Sequence, residues 1–185
     1  MRSNAAGDLA FTGVHITGDL VGADAVLNER LDDDIVALTH GSVLRIRVDV
    51  MLALMSEDAG TAFAVARLLA ADGLFLREAL LAIGRQSSSE RLSTFVLQTY
   101  HRLVAARLVP QDAMSFDLPL TQAQLAAVTG LTGVHVNRVL KLLRDSGCVE
   151  FRSGVVHIND MAGLQREARS GRLAHEGRHA LHSAA

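Results

Sequence analysis

Within residues 132–141 the chain sets Thr132, Val134, His135, Asn137, Arg138 and Lys141 close together. These side-chain types read a DNA duplex. Arginine pairs with a guanine edge and asparagine with an adenine edge. An aliphatic group in the place of Val134 packs on a thymine methyl, and lysine meets phosphate. Thr132, His135 and Asn137 or Arg138 would reach base edges, and Lys141, a turn further on, would reach the backbone. Thr121 and Gln122 can bind phosphate through hydroxyl, amide and backbone N–H at a helix N-terminus. Arg152 is a further phosphate candidate, and equally an ordinary solvated turn residue.

Such readers need a rigid mount. Residues 121–145 read as two short helices with a tight turn between them. Counting from Gln122, the small Ala126 falls at the fifth position, where steeply crossing helices leave little room. Gly130 falls at the ninth, where the turn wants positive φ. Leu125, Leu131, Val136 and Val139 fall where the helices face each other. Any helical hairpin can show Ala, Gly and spaced Val. Their coincidence with a polar, base-competent second helix favours DNA binding. The second helix is expected from about Thr132 to Ser146, ended by Gly147. Residues 148–158 then read as a β-hairpin, a wing.

Upstream, residues 9–48 show a strand-like pattern, roughly four short strands with turns at Gly18-Asp19 and Gly41-Ser42. Four strands cannot close a barrel, so this region needs a partner or the following helices. Asp49 is placed as the N-cap of a short helix. A long helix is expected over about 59–83, with Gly84 as its C-cap. Its apolar residues surround it, so more than one face must be buried. Ala62, Val65, Leu69, Leu76, Ala79 and Ile83 approximate a heptad seam interrupted by Asp72. That seam suits a second copy of the chain, and intrachain burial is the plain alternative. Ser87 to Glu90 caps another helix over about 89–107. Residues 162–185 read as a short helix running into a Gly/His/Ser tail.

The 185 residues suffice for one large or two small domains, and 49% hydrophobic content supports a packed core. Six Phe, one Tyr and no Trp leave that core to Leu, Val and Ala. A net charge of −2 argues at first against nucleic acid, but charge is segregated. Asp32, Asp33 and Asp34 cluster, whereas Arg138, Lys141 and Arg144 line one helix. A single cysteine, Cys148, excludes an intramolecular disulfide framework and a four-cysteine cluster or zinc site. His175, His179 and His182 have metal-compatible spacing without a fixing carboxylate or thiol, so no metal site is expected. His15 and His40 are candidates for haem or small-molecule contact, and equally for structural or exposed roles. No nucleophile–base pair, phosphate loop or catalytic carboxylate pair appears, so no enzyme is expected. With no signal-type or membrane-spanning run, a soluble cytoplasmic protein is expected.

The order of parts, with GRQSSSERL followed by TGVHVNRVLKLLRDSG, resembles the Crp/Fnr family of bacterial transcription regulators over roughly residues 14–160. The pattern LTxxxLAxxxGLTxVHVNRxLxxLR at 120–144 resembles one subgroup of it. The resemblance implies an α+β fold: a partial β jelly-roll sensor region (1–48), a dimerisation segment (49–84), a winged helix-turn-helix (85–160) and a C-terminal helix and tail (161–185). It implies a homodimer on an inverted-repeat operator that contacts RNA polymerase. The β region is less than half of a jelly roll, so a truncated or degenerate sensor is expected.

Where relatives that bind cyclic AMP carry a Gly-Glu and an Arg-Ser pair, this chain has Gly22-Ala23-Asp24 and Asp32-Asp33-Asp34-Ile35. Those carboxylates would repel a phosphate, so no cyclic nucleotide is expected, and one cysteine leaves no iron–sulfur cluster expected. Gly133 and Val134 replace an Arg-Glu pair frequent in the family, so the operator should differ. Two other readings stand beside this one: a partner module that heterodimerises with a full-length relative through the long helix, and a small-molecule or haem sensor.

Overall fold

The structure, a computed structural model, describes residues 2–3, 9–11, 13–23, 25–28 and 34–168. Asp24, Asp32, Asp33 and the histidines of the tail lie outside the described residues. The chain divides into two compact units, Met1–Leu80 and Leu81–Ala185.

In the first unit, β1 (Arg2–Ser3) pairs antiparallel with β2 (Leu9–Ala10). A short α1 (Ala25–Asn28) precedes α2 (Val48–Glu57) and the long α3 (Ala59–Arg85), whose residues 81–85 belong to the second unit. Val26, Met51 and Val65 form a small buried cluster, with Met55 and Leu69 packed against it.

The strands expected within 11–48 are not formed among the described residues, although the Gly18-Asp19 turn is. Residues 34–37 and 40–47 run without strand pairing. Val43 and Leu44 are almost wholly exposed, at 86% and 96%. Alternation specifies a strand only when a neighbour accepts its backbone hydrogen bonds and covers its apolar face. No such neighbour is present among the described residues.

Asp49 is not the N-cap of α2. Arg47 holds that place with extended backbone, and its guanidinium donates to both Asp49 oxygens, at 2.9 and 2.7 Å. That pairing holds the Asp49 carboxyl below its ordinary pKa. Gly84 is not a C-cap either, because α3 continues through it to Arg85. The start of α3 is capped by Asp58, whose carboxylate accepts from the Gly60 and Thr61 amides at 3.1 and 2.8 Å.

Of the residues expected along a seam on α3, Val65 is turned into its own unit. Val65 is 4% exposed and sealed against its own unit, and the Ala79 side chain lies outside the described set. The row that follows a strict three–four spacing is Ala59, Ala62, Ala66, Leu69, Gly73, Leu76, Leu80 and Ile83. It avoids Asp72 altogether. Leu76, Leu80 and Ile83 on it are 50%, 71% and 58% exposed.

The second unit is built on α4 (Ser88–Ala105). Ser87 caps it through a reciprocal box, its hydroxyl accepting from the Glu90 amide while the Glu90 carboxylate accepts from the Ser87 amide. Leu92, Val96 and Tyr100, spaced by four, give α4 one buried stripe. Next come β3 (Ser115–Asp117), α5 (Gln122–Thr129), α6 (Gly133–Asp145), β4 (Val149–Arg152), β5 (Val155–Ile158) and α7 (161–168). The sheet runs β3-β5-β4, antiparallel throughout, with Phe116 and Phe151 both opposite Val156. Between β4 and β5, Ser153 and Gly154 both take positive φ, at 50° and 80°, which suits a two-residue hairpin turn. Leu92, Val96, Leu125, Val136, Leu143, Val149, Val156 and Leu164 share a single core.

Candidate nucleic-acid interface

Each end of the two-helix mount is held by local chemistry. Thr121 opens α5 with its own reciprocal box: its hydroxyl accepts from the Gln124 amide at 3.2 Å, and its amide donates to Gln124 Oε1 at 2.8 Å. Gly130 ends α5 at φ 62° and ψ 32°, the left-handed region that glycine enters without strain. Thr132 then opens α6, accepting from the His135 amide at 3.3 Å. Leu125, Ala126, Val136 and Val139 are buried between the helices, with Leu131 partly buried beside them.

This burial decides what α6 shows to solvent. Thr132, Val134, His135, Asn137, Arg138 and Lys141 are all exposed, and Val134 is 79% exposed. Exposure of an aliphatic residue in the first turn of a helix leaves a hydrophobic contact available to a partner.

The surface residues fall into two stripes. Val134, Arg138 and Lys141 follow i, i+4, i+7 spacing along the middle of the exposed face. Asn137, Lys141 and Arg144 run beside them and, with Gln122, Leu140 and Phe151, line a cleft of about 220 Å³. The fold thus joins Gln122 of α5 to Asn137 and Lys141 of α6, which are far apart in sequence. It also adds Arg144, which the sequence placed on the same basic helix without naming it as a contact, and Phe151, which the sequence did not single out. The i+3 spacing of Lys141 and Arg144 was the available signal for Arg144, whereas Phe151 reaches the cleft only because β4 packs back against α6.

The cleft has two cationic side chains and an amide at the N-terminus of α5, so it can hold an anionic oxygen such as a phosphate. Arg152 sits elsewhere, on β4, where its Nε donates to Glu150 Oε1 at 2.7 Å. His15 faces Asp19 across 3.7 Å, and His40 is exposed.

Comparison with known proteins places this geometry. Residues 90–167 match the Crp-like helix-turn-helix domain. The chain is 25% identical over 162 residues to a fumarate and nitrate reduction regulatory protein of Yersinia pestis, covering 88% of this chain and 64% of that protein. It is 27% identical to an anaerobic regulatory protein of Aggregatibacter actinomycetemcomitans, over 85% of this chain and 60% of that one. The chain therefore spans about three-fifths of the length of these curated relatives.

Among solved structures, FixK2 from Bradyrhizobium japonicum aligns with a TM-score of 0.58 at 21% identity, over 65% of this chain and 58% of that one. The global regulator CLP from Xanthomonas campestris aligns with a TM-score of 0.57 at 18% identity, over 86% and 78% of the two chains. Both likenesses concern the fold. With its capped α5–α6 pair and its hairpin, the chain carries a Crp-like helix-turn-helix domain over residues 90–167 and is similar to regulators of the Crp/Fnr family.

Proposed function

We propose that this protein regulates transcription by binding duplex DNA as a homodimer on an inverted-repeat operator. The observation that carries this is the exposed stripe Val134, Arg138 and Lys141 on α6, flanked by a cationic cleft. Its first turn enters the major groove, where Arg138 pairs with guanine and Val134 packs on a thymine methyl. Gln122, Lys141 and Arg144 grip a backbone phosphate beside it.

The strict heptad row on α3 supports pairing of two copies, since Leu76, Leu80 and Ile83 are exposed at seam spacing. Two-fold pairing sets two copies of α6 on two half-sites, so the operator is an inverted repeat. Contact with RNA polymerase and a place in the cytoplasm follow from this role. Cys148 alone cannot hold a four-cysteine cluster, and the acids at 32–34 oppose a nucleotide phosphate, which supports action without either group. A module that only captures a full-length relative would use the same α3 row, but would have no use for the exposed readers of α6.

The test is selection of random duplex DNA by the purified full chain at low salt. Recovery of an inverted repeat is expected. Recovery of a single half-site would overturn the dimer, and recovery of no sequence preference would overturn the reader.

A further inference from the structure

The first turn of α6 fixes more than the direction of its side chains. Thr132 Oγ1 accepts the His135 backbone N–H at 3.3 Å and also lies 2.8 Å from His135 Nδ1. One hydroxyl therefore serves two groups of the same residue. Having accepted the amide, it still carries a hydrogen of its own, and Nδ1 of the Nε2–H tautomer is an acceptor within reach of it. An imidazole whose Nδ1 accepts carries its proton on Nε2.

His135 is exposed, and among the described residues its Nε2 meets no hydrogen-bond partner. Gly133, two residues earlier, has no side chain, and beyond its chain neighbours and its own helix backbone nothing lies within 4 Å of the place a Cβ would take. The exposed ring of His135 is open to a base edge.

We infer that Thr132 locks His135 as an Nε2–H donor, and that this donor reads a purine N7 in the major groove. The inference rests on α6 being the DNA reader. Its chemistry is selective. A donor-only group matches N7, which adenine and guanine both present, and is rejected by cytosine, whose edge offers only the N4 donor. At thymine the C5 methyl crowds the remaining acceptor. His135 thus specifies purine over pyrimidine at one operator position, beside the positions read by Arg138 and Val134. Thr132 acts as a positioning residue, because it sets the tautomer without touching the base.

Two measurements decide this. Nitrogen-15 NMR of the imidazole rings in the full chain, without DNA, is expected to show His135 with Nδ1 bare and Nε2 protonated. Thr132→Val should mix the two tautomers, and Thr132→Ser should restore the single form. A proton on Nδ1 in the wild type would overturn the lock.

The second measurement is binding to the selected operator with 7-deazapurines placed one position at a time. One position is expected to weaken wild-type binding by about three- to tenfold. His135→Ala should lose sensitivity at that position alone. His135→Gln, whose amide N–H reaches a similar place, should keep it. If His135→Ala instead weakens all sequences equally and lowers the salt dependence by about one phosphate, His135 meets the backbone and the inference fails. Sequence-specific binding with no His135-dependent N7 position overturns this inference alone, whereas absence of any DNA binding by the wild type overturns the proposed function with it.

Discussion

Arg91 Nη1 donates to the carbonyl oxygen of Gly130 at 3.1 Å, and lies 3.5 Å from that of Thr129. A side chain in the first turn of α4 thus satisfies carbonyls that α5 leaves open at its C-terminus. A cation there also opposes the negative end of the α5 dipole. The turn before α6 is therefore held from outside as well as by its own glycine.

Gly130 should be the least replaceable residue of that turn. A Cβ there would make ordinary contacts, at 3.6 Å from both Arg91 Nη1 and Ile83 Cγ1. The cost is conformational, since φ is 62°. Gly130→Ala is expected to destabilise the domain by about 1–2 kcal/mol. Gly130→Asn, which tolerates the left-handed region, should cost less. Urea denaturation followed by circular dichroism measures both, and equal losses would refute the conformational account.

The start of α3 should respond to acid. Thr61 Oγ1 donates to Asp58 Oδ2 at 2.6 Å, and the Thr61 and Gly60 amides add to it, so the Asp58 carboxyl sits below its ordinary value of 3.8. A depressed pKa contributes stability that is present above the unfolded value and is lost as pH falls through the folded value. Asp58→Asn caps the helix without titrating. The difference in helicity between wild type and Asp58→Asn is therefore expected to change only below about pH 3.8. A difference that stays constant through the acid range would refute it.

The two registers of α3 separate by mutation. Leu80→Glu and Leu76→Glu fall on the exposed row and should leave a folded monomer in sedimentation equilibrium. Val65→Glu buries a charge against Met51 and Val26, and should lower helicity instead. Dimers that survive both Leu76→Glu and Leu80→Glu would move the interface elsewhere.

Arg138 and Lys141 should fail differently. Arg138→Ala is expected to lose about 1–3 kcal/mol at its operator base pair and to relax sequence preference there. Lys141→Ala should weaken all sequences alike and reduce the salt dependence by about one phosphate. Titration against operator variants at several salt concentrations distinguishes them, and a uniform loss for Arg138→Ala would make it a backbone contact.

Much of the second unit was legible in the chain because its signals are local. Ser87 with Glu90, Thr121 with Gln124 and Thr132 with His135 each close a hydrogen bond within four residues, so type and spacing suffice. Gly130 is a conformational demand, and Leu125, Val136 and Val139 follow the period of a helix. All of these are determined by sequence alone.

Tertiary structure decided what depends on distant partners. It alone brought Gln122, Lys141 and Phe151 to one cleft, and paired β3 with β5. It turned Val65 inward, where Met51 and Val26 cover it, and left Gly73 and Leu80 exposed. It left 42–47 unpaired although Arg45, Ile46 and Arg47 alternate with Val48. The reason is common to these cases. A helix closes its own hydrogen bonds and can be specified from within. A strand's pairing and a side chain's burial are fixed by whichever surface is close enough to satisfy them.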